Sequence, residues 1–379
     1  MGVEGIPANL LRYRKAKGLT QEQIAKDVGI SRQAYSAIEA GKSVPKSGTL
    51  VSIAQALDSS VPDILADPPS FSSLRFRSNK SMRKRDEAHR DILLHEFRQW
   101  LDDYAFLEEL LGIKSGWEIE GVEEREPVRA AEAVRDALDL EEEEPIDDII
   151  GLLGAAGTKI FTRDFGLPQV FGFSAGAPDM GPAIAVDTSS DVTIERQVFT
   201  AAHELGHLVM HQGSYGSLAG DESDDEEVEA NIFGSHFLLA RAAFERELDE
   251  RSGLALVDFV LHVKRKFRIS YKTVLVRLVK EYNQPESLYQ RFYVASKQRY
   301  GGSLKGHVEP DPLQDPIAPR EVAEPLTVHD FVESRLARLV KQAYERELIS
   351  ASRAAEILQI PLDEMRSLET SWVAVDVGE

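Results

Sequence analysis

The chain contains no cysteine. That excludes a disulfide framework and removes thiolate from the possible metal ligands. No run approaches the roughly 20 consecutive apolar residues of a membrane-spanning helix. No apolar stretch typical of a secretory signal stands near Met1, so a cytoplasmic protein without a membrane partner is expected. Positive charge is also scarce: 44 Lys and Arg against 64 Asp and Glu give a net charge of −20 over 379 residues. The deficit is uneven. Residues 1–66 hold eight basic and six acidic residues, residues 71–98 hold eight against four, and the remainder beyond residue 98 carries about −25. Any contact with double-stranded DNA is therefore expected at the N-terminal end alone. The length allows two or three domains, and 42% hydrophobic residues suit a globular protein.

Against these absences stands one chemically specific run, His203-Glu204-Leu205-Gly206-His207. From about Thr193 to Met210 the residues follow a helical period, with Val198, Ala202, Leu205 and Val209 on one apolar face. His203 and His207 lie on the opposite side, near Thr200 and Arg196. Positions i and i+4 of a helix share a face, so two imidazoles there can grip one divalent metal, usually zinc. Glu204 projects beside the metal-bound water as a general base. The bland alternative is a solvated helix with two surface histidines. Pro182–Val186 upstream reads as a short buried strand.

A two-histidine site needs a third protein ligand. His211 continues the same face, but eight residues of straight helix rise about 12 Å, too far from His203 for one ion; it is expected in the cleft or on the surface. The better source is the acidic run that opens an apolar helix, Asp224-Asp225-Glu226-Glu227-Val228-Glu229-Ala230-Asn231-Ile232-Phe233. Spacing alone does not choose among its carboxylates, and most acids between Asp221 and Glu229 are expected to be solvated loop charges.

The block from Arg196 through Phe199 and Ala202 to His203-Glu204-Leu205-Gly206-His207, followed by Glu227-Val-Glu-Ala-Asn-Ile-Phe233, resembles the ImmA/IrrE family of zinc metallopeptidases. The resemblance implies Zn2+ held by His203, His207 and Glu227, with Glu229 as the fallback third ligand and Glu204 as the catalytic base. Where that family usually carries Leu-Leu-x-Pro, this chain has Leu238-Leu239-Ala240-Arg241 and adds His236, which leaves the cleft wall open. His211, Tyr215, His236 and Arg196 are candidates to stabilise an oxyanion. Zincin-like sites commonly bind substrate as a strand added to a sheet edge; the strands near Phe171 and Ile184 are the candidates for that edge.

Residues 8–66 carry a separate signal. Asn9–Lys17 reads as a helix. Thr20-Gln21-Glu22-Gln23 is a capping box that opens a short helix. Gly29 lies in a turn, Ser31 caps a helix to Ala40, and Thr49–Leu57 and Pro62–Leu65 follow. The pattern from Leu19-Thr20-Gln21-Glu22-Gln23-Ile24-Ala25 through Gly29-Ile30-Ser31-Arg32 to Ile38-Glu39-Ala40-Gly41-Lys42 resembles the XRE, or lambda-repressor-like, helix-turn-helix family. The resemblance puts Arg32, Gln33 and Ser36 at base edges in the major groove, Gln21 at a phosphate and Lys42 at the backbone. It also implies a homodimer on paired half-sites. Glu39 is expected to be structural. The basic stretch Arg75, Arg77, Lys80, Arg83, Lys84, Arg85 and Arg90 reads either as a linker that brushes phosphates or as the start of a long helix, Met82–Leu111, paired to the acidic body. The helical reading is preferred.

The expected organisation is α+β. An all-α helix-turn-helix domain spans 1–70, a basic helical connector 71–125, and a zincin-like α+β metallopeptidase domain 126–300. A Pro-rich loop and helical C-terminal region span 301–379. Helices are expected at Pro127–Leu140, Pro145–Gly154, Leu256–Phe267, Tyr271–Lys280 and within Thr327–Leu368, the last resembling a further small helix-turn-helix suited to packing or dimerisation. Strands are expected at Lys159–Phe161 and Gln169–Ser174. The implied function is a DNA-binding regulator with a zinc endopeptidase that cuts a repressor or antitoxin under stress or mobile-element induction, its activity latent in some settings. The alternatives are a non-proteolytic regulator that senses metal or ligand, and an antitoxin-type interaction protein.

Overall fold

A computed structural model describes residues 5–67, 69–76, 82–113, 116–216, 223–301, 304, 309–310 and 335–373. Asp221, Arg77, Lys80 and nearly all of the Pro-rich segment lie outside the described residues, as do residues 327–334. The chain folds into two units, each with its own packing. One is Met1–Phe71, Arg77–Asp102 and Phe165–Val170; the other is Ser72–Phe76, Asp103–Asp164 and Phe171–Glu379.

The first unit opens with α1 (Ile6–Ala16), α2 (Gln21–Val28), α3 (Arg32–Glu39), α4 (Ser47–Ala56) and α5 (Val61–Leu65). Local chemistry sets the boundaries. The Thr20 hydroxyl accepts from the Gln23 N–H while the Gln23 side chain accepts from the Thr20 N–H, so both orphan donors of the helix start are satisfied. Gly29 ends α2 at φ 75°, a left-handed position that favours glycine. Ser31 caps α3 through the Ala34 N–H. Ile6, Leu10, Ile24, Tyr35, Ile53, Leu57 and Ile64 form the core these helices share. α1 starts earlier than the sequence suggested because Pro7 fits the first turn, where its missing N–H costs nothing.

α6 (Lys84–Leu111) follows β1 (Leu74–Arg75), a two-residue strand that the sequence did not announce. The later part of the basic stretch lies on α6 or just before it. Arg85 donates to the Ala16 carbonyl and Arg90 pairs with Asp91, while Arg83 and Lys84 are exposed.

The second unit adds α7 (Pro127–Ala137), α8 (Ile149–Ala155), β2 (Lys159–Arg163), β3 (Gly172–Ala175), β4 (Ala183–Asp187), α9 (Ile194–Met210) and α10 (Asp224–Leu238). Then come α11 (Arg241–Glu250), α12 (Leu256–Phe267), α13 (Tyr271–Glu281), α14 (Ser287–Tyr300), α15 (Arg335–Glu345), α16 (Ala351–Leu358) and α17 (Leu362–Val373). The sheet runs β1-β3-β4-β2, with β2 parallel to β4 and the other pairs antiparallel. β4 is buried along its whole length, as its apolar run Ala-Ile-Ala-Val requires. The edge expectation needs correcting. The strand of Ile184 is internal, and β3, which follows Phe171, has its outer side covered by β1.

Ile184, Val186, Ala201, Ala202 and Leu205 pack with Phe233 and Phe237 of α10 in one continuous core. Two glycines let the layers close. A Cβ on Gly206 would lie 2.9 Å from the Phe233 ring, so only glycine lets α9 and α10 approach this closely. A Cβ on Gly172 would lie 2.3 Å from the Thr200 methyl and 3.3 Å from the Glu204 side chain, so glycine also seats β3 on α9. The fold is α+β. Among the described residues no helix is long and apolar enough to cross a membrane.

Candidate metal centre and recognition helix

α9 begins at Thr193, whose hydroxyl accepts from the Arg196 N–H. Its helical phase puts His203 and His207 on one side, with their Nε2 atoms 3.1 Å apart. α10 crosses at Gly206 and brings Glu227 to the same place, 3.5 Å from His203 Nε2 and 3.2 Å from His207 Nε2. Among the described residues these three form the one group of at least three His, Asp or Glu able to hold a metal ion. The donors fit. Ligands about 2.1 Å from a tetrahedral ion lie roughly 3.4 Å from one another, close to the separations seen here.

The opposite ring nitrogens are also engaged. His203 Nδ1 lies 3.2 Å from Asn231 Oδ1, an acceptor only, which fixes the proton on Nδ1 and leaves the Nε2 lone pair toward the site. His207 Nδ1 lies 2.8 Å from His211 Nδ1, and His211 Nε2 lies 2.9 Å from Glu229. A proton on His207 Nδ1 and another on His211 Nε2 satisfy both contacts. His211 is therefore buried behind His207, in neither the cleft nor the surface position expected for it. α9 ends at Met210, and the i+4 step that keeps His211 from the ion delivers it to the neighbouring ring. Glu229, the fallback ligand, serves His211.

Glu204 is buried on the inner side of α9. Its carboxylate accepts from the Ser174 hydroxyl of β3 at 2.7 Å, and Ser174 Oγ is also 2.7 Å from the Tyr215 hydroxyl. Burial raises the Glu204 carboxyl above its ordinary range, opposed in part by His203 and the Ser174 hydrogen bond. Burial likewise holds His207 down, to about 3. Burial works the other way on Glu227, but the two imidazoles packed against it prevail and hold it below the usual carboxylate range. At neutral pH His207 is neutral and Glu227 ionised, the protonation states a metal ligand needs.

Of the other predicted residues, His236 lies apart from the triad. His236 Nε2 faces Glu281 at 3.1 Å. It stands nine residues along α10 from Glu227, roughly 13 Å of rise, so the helix carries it away from the triad. Arg196 lies over the Phe171 ring, 4.2 Å from its centroid. Tyr215 adjoins Glu204 through Ser174.

Two residues of this site were missed. Ser174 sat unremarked in an expected strand. Arg75 was read as one cation of a basic run; it is 5% exposed, donates to Glu226 at 2.6 Å and reaches Glu227 at 3.3 Å.

In the first unit, α3 exposes Arg32 and Gln33 and half-exposes Ser36, with Lys42 exposed just beyond. Glu39 points inward to Arg14, which donates to both its carboxylate oxygens at 2.7 Å. Burial alone would raise the Glu39 carboxyl, but the hydrogen bonds from Arg14 and Gln21 leave it lowered. The Gln21 amide nitrogen donates to Glu39 at 3.1 Å, so Gln21, at the start of α2, is also part of this packing network.

The segments that carry these two sites are each similar to a known family. A helix-turn-helix family model matches residues 10–64, and a model described as IrrE N-terminal-like domain matches residues 154–279. An uncharacterized HTH-type transcriptional regulator of Bacillus subtilis (strain 168), YqaE, is 44% identical over 57 residues, 15% of this chain and 49% of that protein. The chain thus spans about half the length of this curated relative. Its N-terminal segment is similar to XRE-type helix-turn-helix domains, and its middle segment to the metallopeptidase-like ImmA/IrrE family.

Proposed function

We propose that the protein is a DNA-binding transcriptional regulator whose second unit is a zinc-dependent endopeptidase acting on a repressor or antitoxin. One observation carries the peptidase reading: His203, His207 and Glu227 converge on one point while Glu204, one residue from a ligand, is buried and held by Ser174. His203, His207 and Glu227 would hold the zinc. A bound zinc supplies a Lewis acid that lowers the pKa of water. Glu204 accepts the proton of the attacking water and delivers it to the leaving amine, and its raised pKa suits both steps. Ser174 fixes the carboxylate's orientation.

Arg32 and Gln33 offer the bidentate donors that guanine and adenine edges accept, with Ser36 beside them and Gln21 and Lys42 at the backbone. A homodimer on paired half-sites and a cytoplasmic location complete the proposal. The proposed divisions are 1–70 for DNA binding, 71–125 for the connector, 126–300 for the peptidase and 301–379 for the C-terminal region.

The test pairs the full chain with a co-encoded small repressor. Glu204→Gln should keep one zinc per chain and slow cleavage by about 10²–10⁴-fold. Undiminished cleavage by that variant would remove Glu204 from the mechanism. Stoichiometric zinc with no cleavage by wild type would favour a sensing regulator.

A further inference from the structure

β1 stands where a peptide would be expected to bind. Without β1, the outer side of β3 would be the sheet edge beside the candidate centre, because β3 carries the Ser174 that holds Glu204. β1 covers that edge in antiparallel register, Leu74 opposite Ala175 and Arg75 opposite Ser174. Its contacts are those of an added strand, with backbone bonds giving attachment and buried side chains adding to it. The Gly176 N–H donates to the Ser73 carbonyl at 2.8 Å, and the Leu74 N–H donates to the Gly216 carbonyl at 3.0 Å. Phe76 packs on Phe173, ring centroids 5.1 Å apart. Between them Arg75 reaches Glu226 and the candidate ligand Glu227. Leu74, Arg75 and Phe76 are all buried.

The strand is an insertion into its surroundings. Ser72–Phe76 belongs to the second unit, whereas the chain on both sides of it, to Phe71 and from Arg77, belongs to the first. One carboxylate fastens its start. Asp179 accepts from the Ser72 N–H at 2.9 Å and the Ser73 N–H at 2.5 Å. The opposite end of its polar attachment is Glu226, which also accepts from the Ser214 hydroxyl.

We propose that Ser72–Phe76 is an internal stand-in for the peptide this site binds. The site takes an extended segment with arginine between two apolar residues, Glu226 recognises that arginine, and the intact chain is latent while its own strand fills the edge. This rests on the peptidase reading for the identity of the site, though not on turnover.

The test uses the full chain as wild type, Asp179→Asn and Asp179→Asn with Arg75→Gln. Hydrogen exchange is followed at residues 73–76. Fluorescence anisotropy follows a labelled peptide of the sequence Phe71–Phe76, with an Arg-to-Glu peptide beside it. The double variant should lose exchange protection at 73–76 and bind the arginine peptide at least tenfold more tightly than wild type, and the glutamate peptide should not bind. Equal affinity in all three proteins, indifference to the peptide's arginine, or a strand that stays protected in the double variant would each overturn the proposal. Peptide bound but never hydrolysed leaves this inference standing and counts against the peptidase. Hydrolysis of a repressor at one rate in all three proteins does the reverse.

Discussion

Arg14 and Glu39 lock α1 to α3 through two parallel charge-assisted hydrogen bonds, the strong form of such contacts. Glu39→Gln should cost about 1.5–3 kcal/mol, because hydrogen bonds to charged groups are worth that much; chemical denaturation of the full chain measures it. Glu247 provides the pH prediction. Burial raises its carboxyl, but hydrogen bonds from His262 and Lys266 outweigh burial and set it at about 2. A depressed carboxylate stabilises the fold above its ordinary pKa of 4.5 and loses that contribution as pH falls toward 2. Wild type should therefore exceed Glu247→Gln in melting temperature near neutrality, with the gap closing through that window. A gap that does not change with pH would contradict it. At this scale the sequence showed the histidine pair, Glu204 and the capping residues, whose partners lie within one helical turn. Arg75 and Ser174 were hidden because their partners lie 151 and 30 residues away. His211 was legible as a residue that could not share the ion, but distance along a straight helix says nothing of the ring it supports.

Elements explain why three donors meet. α9 and α10 can cross at their observed separation only because Gly206 has no side chain against Phe233. Gly206→Ala should force the helices apart, cost about 1–3 kcal/mol as overpacking does, and weaken zinc binding with it. Thermal unfolding and a chelator titration read the two effects separately. Unaltered zinc affinity would mean that the crossing does not position Glu227. Long periodic helices such as α9 and α12 were legible to within a residue or two. β1 was not, because two residues cannot display a period of two, and its arginine disguised it as part of a solvated basic run. α11 and α14 also escaped notice, whereas α15–α17 were visible as general helicity with a resemblance to a further small helix-turn-helix.

Across the whole molecule, charge separates the two proposed activities. The acidic excess lies beyond residue 98, whereas α3, the proposed recognition helix, belongs to the slightly basic N-terminal segment. Arg32→Ala should weaken specific DNA binding by about 1–3 kcal/mol, the worth of one bidentate base contact, with zinc content unchanged. Gel-shift titration at fixed salt tests it, and an equal loss on non-specific DNA would make Arg32 a backbone contact instead. The two segments were readable separately because each signature is local; the partner that a peptidase acts on leaves no such mark.

We propose that His203, His207 and Glu227 hold one ion. Competition for zinc between a chromophoric chelator and the full chain tests it most directly, as wild type, Glu227→Ala and Glu229→Ala. The account predicts one tightly held zinc per wild-type chain, retention of that zinc by Glu229→Ala, and at least a hundredfold loss of affinity in Glu227→Ala. A wild-type chain that binds no zinc, or a Glu227→Ala chain that keeps wild-type affinity, would contradict it.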